Sequence, residues 1–221
     1  MKFTKLFIVF GISILSSCSS KTTKVDAFPE LYNRKITSIL ILPPINETTS
    51  SVAKEYYSTT IFEPLTNKGY YVAPFSLTEK FFKEEGIYDT EILDVIAIQE
   101  IGSFFGVDAV FQTKIIDWDT TYTVIHASLT VNFEAQLIAT SDGSILWEYR
   151  GKIFQNLTEG GYDPLVNLLV TAINAAASDY VPYATLANEQ ILAPLPYGKY
   201  HPKHYEDQNE QFSQLEDSSK Q

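Results

Sequence analysis

From residue 125 to residue 139 the chain alternates, with Ile125, Ala127, Leu129, Val131, Phe133, Ala135, Leu137 and Ala139 interleaved with His126, Ser128, Thr130, Asn132, Glu134 and Gln136. Period two is the spacing of a strand with one buried and one wet face, so this stretch commits the chain to a sheet with its core on one side. Ser141-Asp142-Gly143 reads as the loop of a hairpin with Gly143 in the left-handed position, which pairs Thr140 with Ser144. That register sets Leu137 opposite Trp147, Ala135 opposite Tyr149 and Val131 opposite Ile153 on the core face, with Glu134 opposite Arg150 on the wet face. A two-residue loop would set Leu137 against Glu148 and is rejected, because a slip of one residue turns the core face to water.

Residues 36–46 carry the other kind of strand. Ile36, Ile39, Leu40, Ile41 and Leu42 form a nearly continuous apolar run, as in a central strand covered on both faces, and Pro43-Pro44 ends it because neither proline can donate to a ladder. A helix is expected over 49–68, capped by Ser50-Ser51, burying Ala53, Tyr57, Thr60, Ile61 and Leu65, kinked near Ile61 by Pro64 and stopped by Gly69. A second strand follows at 70–74, then a short helix at 77–83. A longer helix over 90–105 buries Ile92, Val95, Ile96, Ile101, Phe104 and Phe105, and a strand starts at 107–111. Asp163-Pro164 opens a last helix with Leu165, Leu168, Leu169, Ala172, Ile173, Ala176 and Tyr180 on its sheet-facing side. Residues 181–205, marked by four prolines, read as an extended segment lying across the surface. The fold class is α/β (α+β): one domain over 27–205, a mixed sheet with a long antiparallel hairpin, and helices packed on the sheet.

The N-terminus carries an address. Lys2 and Lys5 precede the apolar run 6–15, which is too short to span a bilayer and is followed by small residues, so 1–17 reads as a signal peptide. Leu15-Ser16-Ser17-Cys18 resembles the bacterial lipobox, whose cysteine is lipidated and becomes the first mature residue. Cys18 is the only cysteine, so it has no partner for an intrachain disulfide. Several acyl chains on one residue hold a protein firmly to a membrane. By analogy with lipoprotein sorting in Gram-negative bacteria, Ser19 rather than Asp after the cysteine directs the chain to the outer membrane, facing the periplasm.

Losing Lys2 and Lys5 takes the net charge from −11 to −13. Such an acidic surface argues against nucleic acid as a partner and against flat adhesion to anionic headgroups. Residues 18–26 form a polar tether, and 206–221, rich in Glu, Asp, Gln and Ser, read as a disordered acidic tail.

The lipobox, the stretch 39–46, the set Lys68-Gly69-Tyr70-Tyr71-Val72-Ala73-Pro74 and the set Phe104-Phe105-Gly106-Val107-Asp108-Ala109-Val110 together resemble a family of small Gram-negative lipoproteins of undefined molecular function, with Leu195-Pro196-Tyr197-Gly198-Lys199-Tyr200-His201 included. The resemblance implies a fold like the N-terminal domain of TolB and a gene neighbour similar to the curli secretion lipoprotein CsgG. It also implies an assembly, secretion or transport accessory rather than an enzyme.

Chemistry is sparse. Asp117 and Asp119 flank Trp118, and Glu134 lies near Glu148; paired carboxylates held in a cleft could serve a hydrolase, but a solvated strand end and a Glu134–Arg150 pair explain them more simply. His201, His204 and Glu206 sit among prolines that do not fix metal-ligand geometry, and His126 falls on the polar face of its strand. There is no phosphate loop and no nucleophile elbow, and Gly160-Gly161 is too little to claim one. No cofactor or metal is expected. The reading carried forward is an interaction protein using Pro43, Pro44 and Asn46 in the proline loop and Tyr197 and Tyr200 in the C-terminal segment; the alternative is an envelope hydrolase using Asp117, Asp119 or Glu148. A homodimer is expected through residues 123–128, if the strand beside them stops near Asp117 and leaves their backbone unpaired.

Overall fold

Two kinds of apolar run, one continuous and one alternating, build the two halves of the sheet in the computed structural model, which describes residues 22–86, 98–122, 127–156 and 181–212. In chain order the elements are β1 (Thr22–Thr23), α1 (Lys24–Ala27), α2 (Pro29–Asn33), β2 (Ser38–Ile41), β3 (Ile45–Asn46), α3 (Ala53–Thr60), α4 (Phe62–Asn67), β4 (Tyr71–Val72), α5 (Phe75–Glu84), α6 (Ile98–Phe105), β5 (Ala109–Tyr122), β6 (Ala127–Ala139), β7 (Ile145–Asn156), α7 (Val181–Leu192) and β8 (Gln211–Phe212). The main sheet has the order β4-β2-β5-β6-β7, with β3 also on β5, while β1 and β8 form a ladder of their own. β2 lies parallel to β4 and β5, and β5, β6 and β7 run as an antiparallel meander. The mixed sheet with a long hairpin and helices packed on it is therefore as expected.

β2 is the seam between two cores. Ile39 and Ile41 join Ala53, Tyr57, Ile61 and Leu65 from α3, α4 and the residue between them. Leu40 and Leu42 turn to the other face, with Phe82 of α5 and Ile101 of α6. All four β2-side residues are fully buried, worth roughly 2 kcal/mol each in area removed from water. The helix expected over 49–68 breaks at Ile61, one turn before Pro64, whose ring crowds the preceding turn. The Ser50-Ser51 cap does not form: Val52 takes the N-cap position without a side-chain bond. Ser50 belongs instead to a loop in which its carbonyl accepts from Asn46 Nδ2 at 2.9 Å and its N–H donates to Thr48 Oγ1 at 3.0 Å.

The hairpin register is the expected one along most of its length, with Leu137 on Trp147, Ala135 on Tyr149, Val131 on Ile153 and Glu134 on Arg150. The turn differs. Ala139 N–H donates to the Ser144 carbonyl at 2.8 Å and Ile138 pairs with Ile145, so the connection is 140–143 and Leu146 is the extra, bulged residue. Thr140 is drawn away from Ser144 because its hydroxyl donates to the carbonyls of Val107 and Asp108, at 2.7 and 2.9 Å, while Leu146 becomes buried. Gly143 takes the left-handed conformation, φ 73°, as the turn requires.

Three further expectations are corrected. Phe104 is 66% exposed rather than buried, although it touches Phe81. Residues 181–192 are helix, not an extended strap, because Ala184, Ala187, Asn188 and Ile191 make a buried face whose small side chains admit close approach to α3. There Asn188 Nδ2 donates to Thr60 Oγ1 at 2.8 Å. The edge expected for a homodimer over 123–128 is already paired at Ala127 and Ser128, since β5 runs on to Tyr122 opposite Ala127, while 123–126 lie outside the described residues. The helix expected after Asp163-Pro164, the residues Ile92, Val95 and Ile96, and Ile125 and His126 lie outside the described residues.

Candidate functional site

The residues expected to be a loose tether and a disordered tail close on one another at the amino ends of the parallel strands. Lys24 N–H donates to the Glu210 carbonyl at 2.9 Å and Val25 N–H to that of Gln208 at 3.1 Å, continuing the β1–β8 ladder. At the centre is Asp207, 1% exposed. Its Oδ1 accepts from the Tyr32 hydroxyl at 3.2 Å, and its Oδ2 accepts from Tyr197 N–H at 3.0 Å and from Lys24 Nζ at 3.4 Å. Lys24, also buried, reaches Glu210 at 2.7 Å. A buried carboxylate is tolerable only with such partners, and here they come from both ends of the chain.

The 195–201 loop is strapped to the α4–β4 turn. Gly198 N–H donates to the Lys68 carbonyl at 2.8 Å, Tyr200 N–H to that of Gly69 at 2.9 Å, and the Tyr70 hydroxyl to that of Pro196 at 2.9 Å. Two ammonium groups lie over the Tyr197 ring, Lys68 at 4.9 Å and Lys24 at 5.4 Å from its centroid, and His201 stacks on it at 3.8 Å. Lys68 Nζ donates to the Ala193 carbonyl at 2.9 Å.

At the opposite, carboxyl end of the parallel strands, a cleft of about 450 Å³ opens between α3 and α5, lined among others by Pro43, Lys54, Glu55, Phe75 and Lys83. Crevices outside the carboxyl ends of strands are where α/β sheets place ligands. Here the polar lining is wet: Lys83 pairs with Glu79 at 2.8 Å on the surface of α5.

The family described as "Putative lipoprotein GNA1162-like" matches residues 27–194. The chain belongs to that family. It is 26% identical over 172 residues to the "Putative lipoprotein NMB1124/NMB1162" of Neisseria meningitidis serogroup B, covering 76% of this chain and 80% of that protein. The crystal structure of lipoprotein GNA1162 from Neisseria meningitidis superposes with a TM-score of 0.53 at 27% identity, covering 65% of this chain and 99% of that one. Membership in this lipoprotein family implies a cell-envelope location.

In this GNA1162-like chain the expected interaction residues divide. Pro44 is buried, and Asn46 holds the 46–50 loop through Ser50 and Thr48. Pro43 lines the cleft, Tyr197 is half-buried in the clasp, and Tyr200 is 62% exposed. Asp117 and Asp119 are exposed on β5, Glu134 pairs with Arg150 at 3.4 Å, and Glu148 meets Gln136 at 3.5 Å. His204 Nδ1 bonds the Tyr197 carbonyl at 2.8 Å, and His201 Nδ1 accepts from Lys203 N–H at 3.1 Å, so both rings serve the loop. Burial, then Lys68 and Lys203, hold the His201 ring below its ordinary range. Lys24, Tyr32 and Asp207 were not legible as a site, because partners 183 and 175 residues apart leave no local pattern.

Lys68 gives the clasp a pH signature. Burial first, and the Lys24 ammonium next, lower its pKa from 10.5 to about 8, against the pull of Asp207 and Glu210. The unfolded chain therefore holds this proton longer, and stability rises as pH goes from about 8 toward 10.5. In Lys68→Met that rise is expected to flatten. Urea midpoints measured between about pH 8 and pH 10 check it, and an undiminished slope in the variant refutes the assignment.

Proposed function

We propose that this chain is a lipid-anchored lipoprotein of the outer membrane, facing the periplasm, that holds or guides other envelope proteins as an assembly, secretion or transport accessory. Cys18 carries the acyl chains, and a CsgG-like lipoprotein is the class of partner that the family resemblance suggests. The observation that carries the binding reading is an apolar patch on the second core's outer side. Leu77 is 62% and Phe104 66% exposed; Leu77 lies one helical turn from Phe81, whose ring centroid is 4.5 Å from that of Phe104. Exposed apolar side chains grouped in this way suit a contact surface. By contrast, the carboxylates of the hydrolase alternative face solvent or an ion-pair partner on the strands, so the binding reading is preferred.

The test combines fatty-acid labelling with mild cross-linking of the protein in native membranes. Label is expected on the parent chain and not on Cys18→Ala. Cross-linked partners recovered with the parent are expected to fall at least tenfold with Leu77→Ser/Phe104→Ser, while the unfolding midpoint moves by only a few degrees. Label persisting on Cys18→Ala removes the anchor, and partners unchanged in the double variant remove the patch.

A further inference from the structure

The first described element, β1, starts at Thr22, four residues after Cys18. At most about 3.5 Å per residue separates consecutive positions, so Thr22 lies within about 14 Å of the anchored residue. The clasp must therefore sit close to the membrane, whatever path those four residues take. Its outer side is suited to that place. Tyr200 is 62% and Tyr205 39% exposed, Lys199 and Lys203 are exposed, and Lys199 Nζ stands 5.7 Å from the Tyr200 ring centroid. Asp207 is buried and shares the Lys24 ammonium with Glu210, which is 55% exposed, and Glu206 is an exposed carboxylate directly after the 199–205 loop. In a chain of net charge −11, residues 199–205 hold two lysines and two exposed tyrosines and no carboxylate. Tyrosine, apolar along its ring and polar at its tip, partitions to the bilayer interface, and lysine stems lie along it with the ammonium at the phosphates.

We propose that the 199–205 loop rests in the phospholipid headgroup layer of the membrane that holds Cys18, with Tyr200 inserted and Lys199 and Lys203 on lipid phosphates. This rests on Cys18 being the lipidated residue. It orients the domain: the cleft and the far tips of the meander point away from the bilayer, and the contact fixes the domain's tilt as a short tether alone would not.

The lipid-bearing full-length mature protein, purified from membranes and reconstituted in vesicles of phosphatidylethanolamine and phosphatidylglycerol, tests this with brominated lipids as quenchers. The additional emission of Tyr200→Trp, or of Lys199→Trp should the first fold poorly, is expected to be quenched at least twofold more than that of Leu77→Trp on the other face. Lys199→Gln/Lys203→Gln in the Tyr200→Trp background is expected to reduce the quenching. Equal quenching at 77 and 200 in protein that floats with the vesicles overturns the headgroup contact while leaving the anchor intact. Protein that does not float overturns the anchor, and the contact with it.

Discussion

Asp207→Ala is expected to lower the unfolding midpoint by about 10 °C. The carboxylate is buried and serves three donors, the Tyr32 hydroxyl, the Tyr197 N–H and the Lys24 ammonium. Its loss leaves two neutral donors unpaired and a buried cation with only the half-exposed Glu210, at a cost of about 3 kcal/mol, the low end for breaking a buried pair. For a domain of this size about 3 °C per kcal/mol gives the stated shift. Glu210→Gln, at the exposed end of the same network, is expected to cost below about 1 kcal/mol. Thermal unfolding of the pair decides it: two similar midpoints would mean that the clasp does not discriminate buried from exposed charge. Truncation after Tyr205 should cost more than Asp207→Ala, because it also removes Glu210 and the β1–β8 ladder, whereas removal of 213–221 takes away none of these contacts. This replaces, for residues 206–212, the expectation of a disordered tail.

Gly69→Ala is expected to be at least as damaging, and for a different reason. Gly69 has φ 87°, and a β-carbon there would stand 2.3 Å from His201 N and 2.8 Å from His201 Cα. Those are backbone atoms of the strapped loop, so relief requires moving the loop and losing the Gly198–Lys68 and Tyr200–Gly69 bonds. Two lost bonds at about 1 kcal/mol each, with about 1–2 kcal/mol for a left-handed alanine, give roughly 3–4 kcal/mol. Gly143→Ala is the control: its φ is 73° but nothing lies within 4 Å of the added carbon, so only the conformational part, about 1–2 kcal/mol, applies. Urea unfolding of the two variants, with protease sensitivity of the 195–205 loop as a local readout, separates the contributions. Equal losses would show that the close approach to His201 contributes nothing.

What the sequence made legible follows from how local each signal is. β2 announced itself because both of its faces are covered, which demands Ile39 to Leu42 without a polar break. The β6–β7 register was readable because period two leaves one pairing that keeps Leu137, Ala135 and Val131 on the core side. The same logic failed at the turn, where a contact from Thr140 to Val107 and Asp108, just before β5, displaced the local preference. α7 was missed because its buried face is built from Ala184, Ala187 and Asn188 next to prolines, a face that carries little hydrophobic contrast. Phe104 was assigned to the core by spacing alone, and spacing cannot tell the rim of a helix from its centre. The clasp was invisible: Lys24 and Asp207 each lie in a polar stretch, and only the folded chain brings them together.

The β1–β8 ladder also sets an order of events in time. Residues 207–212 supply the partners of 22–25, so the amino-terminal segment cannot be locked in place until almost the whole chain has emerged. Contacts separated by more than 180 residues are the last a growing chain can make. Until then residues 22–25 stay unclasped, and once the carboxyl end arrives they are sealed against the domain. Closure of the amino-terminal end of the fold is thereby placed last by topology alone.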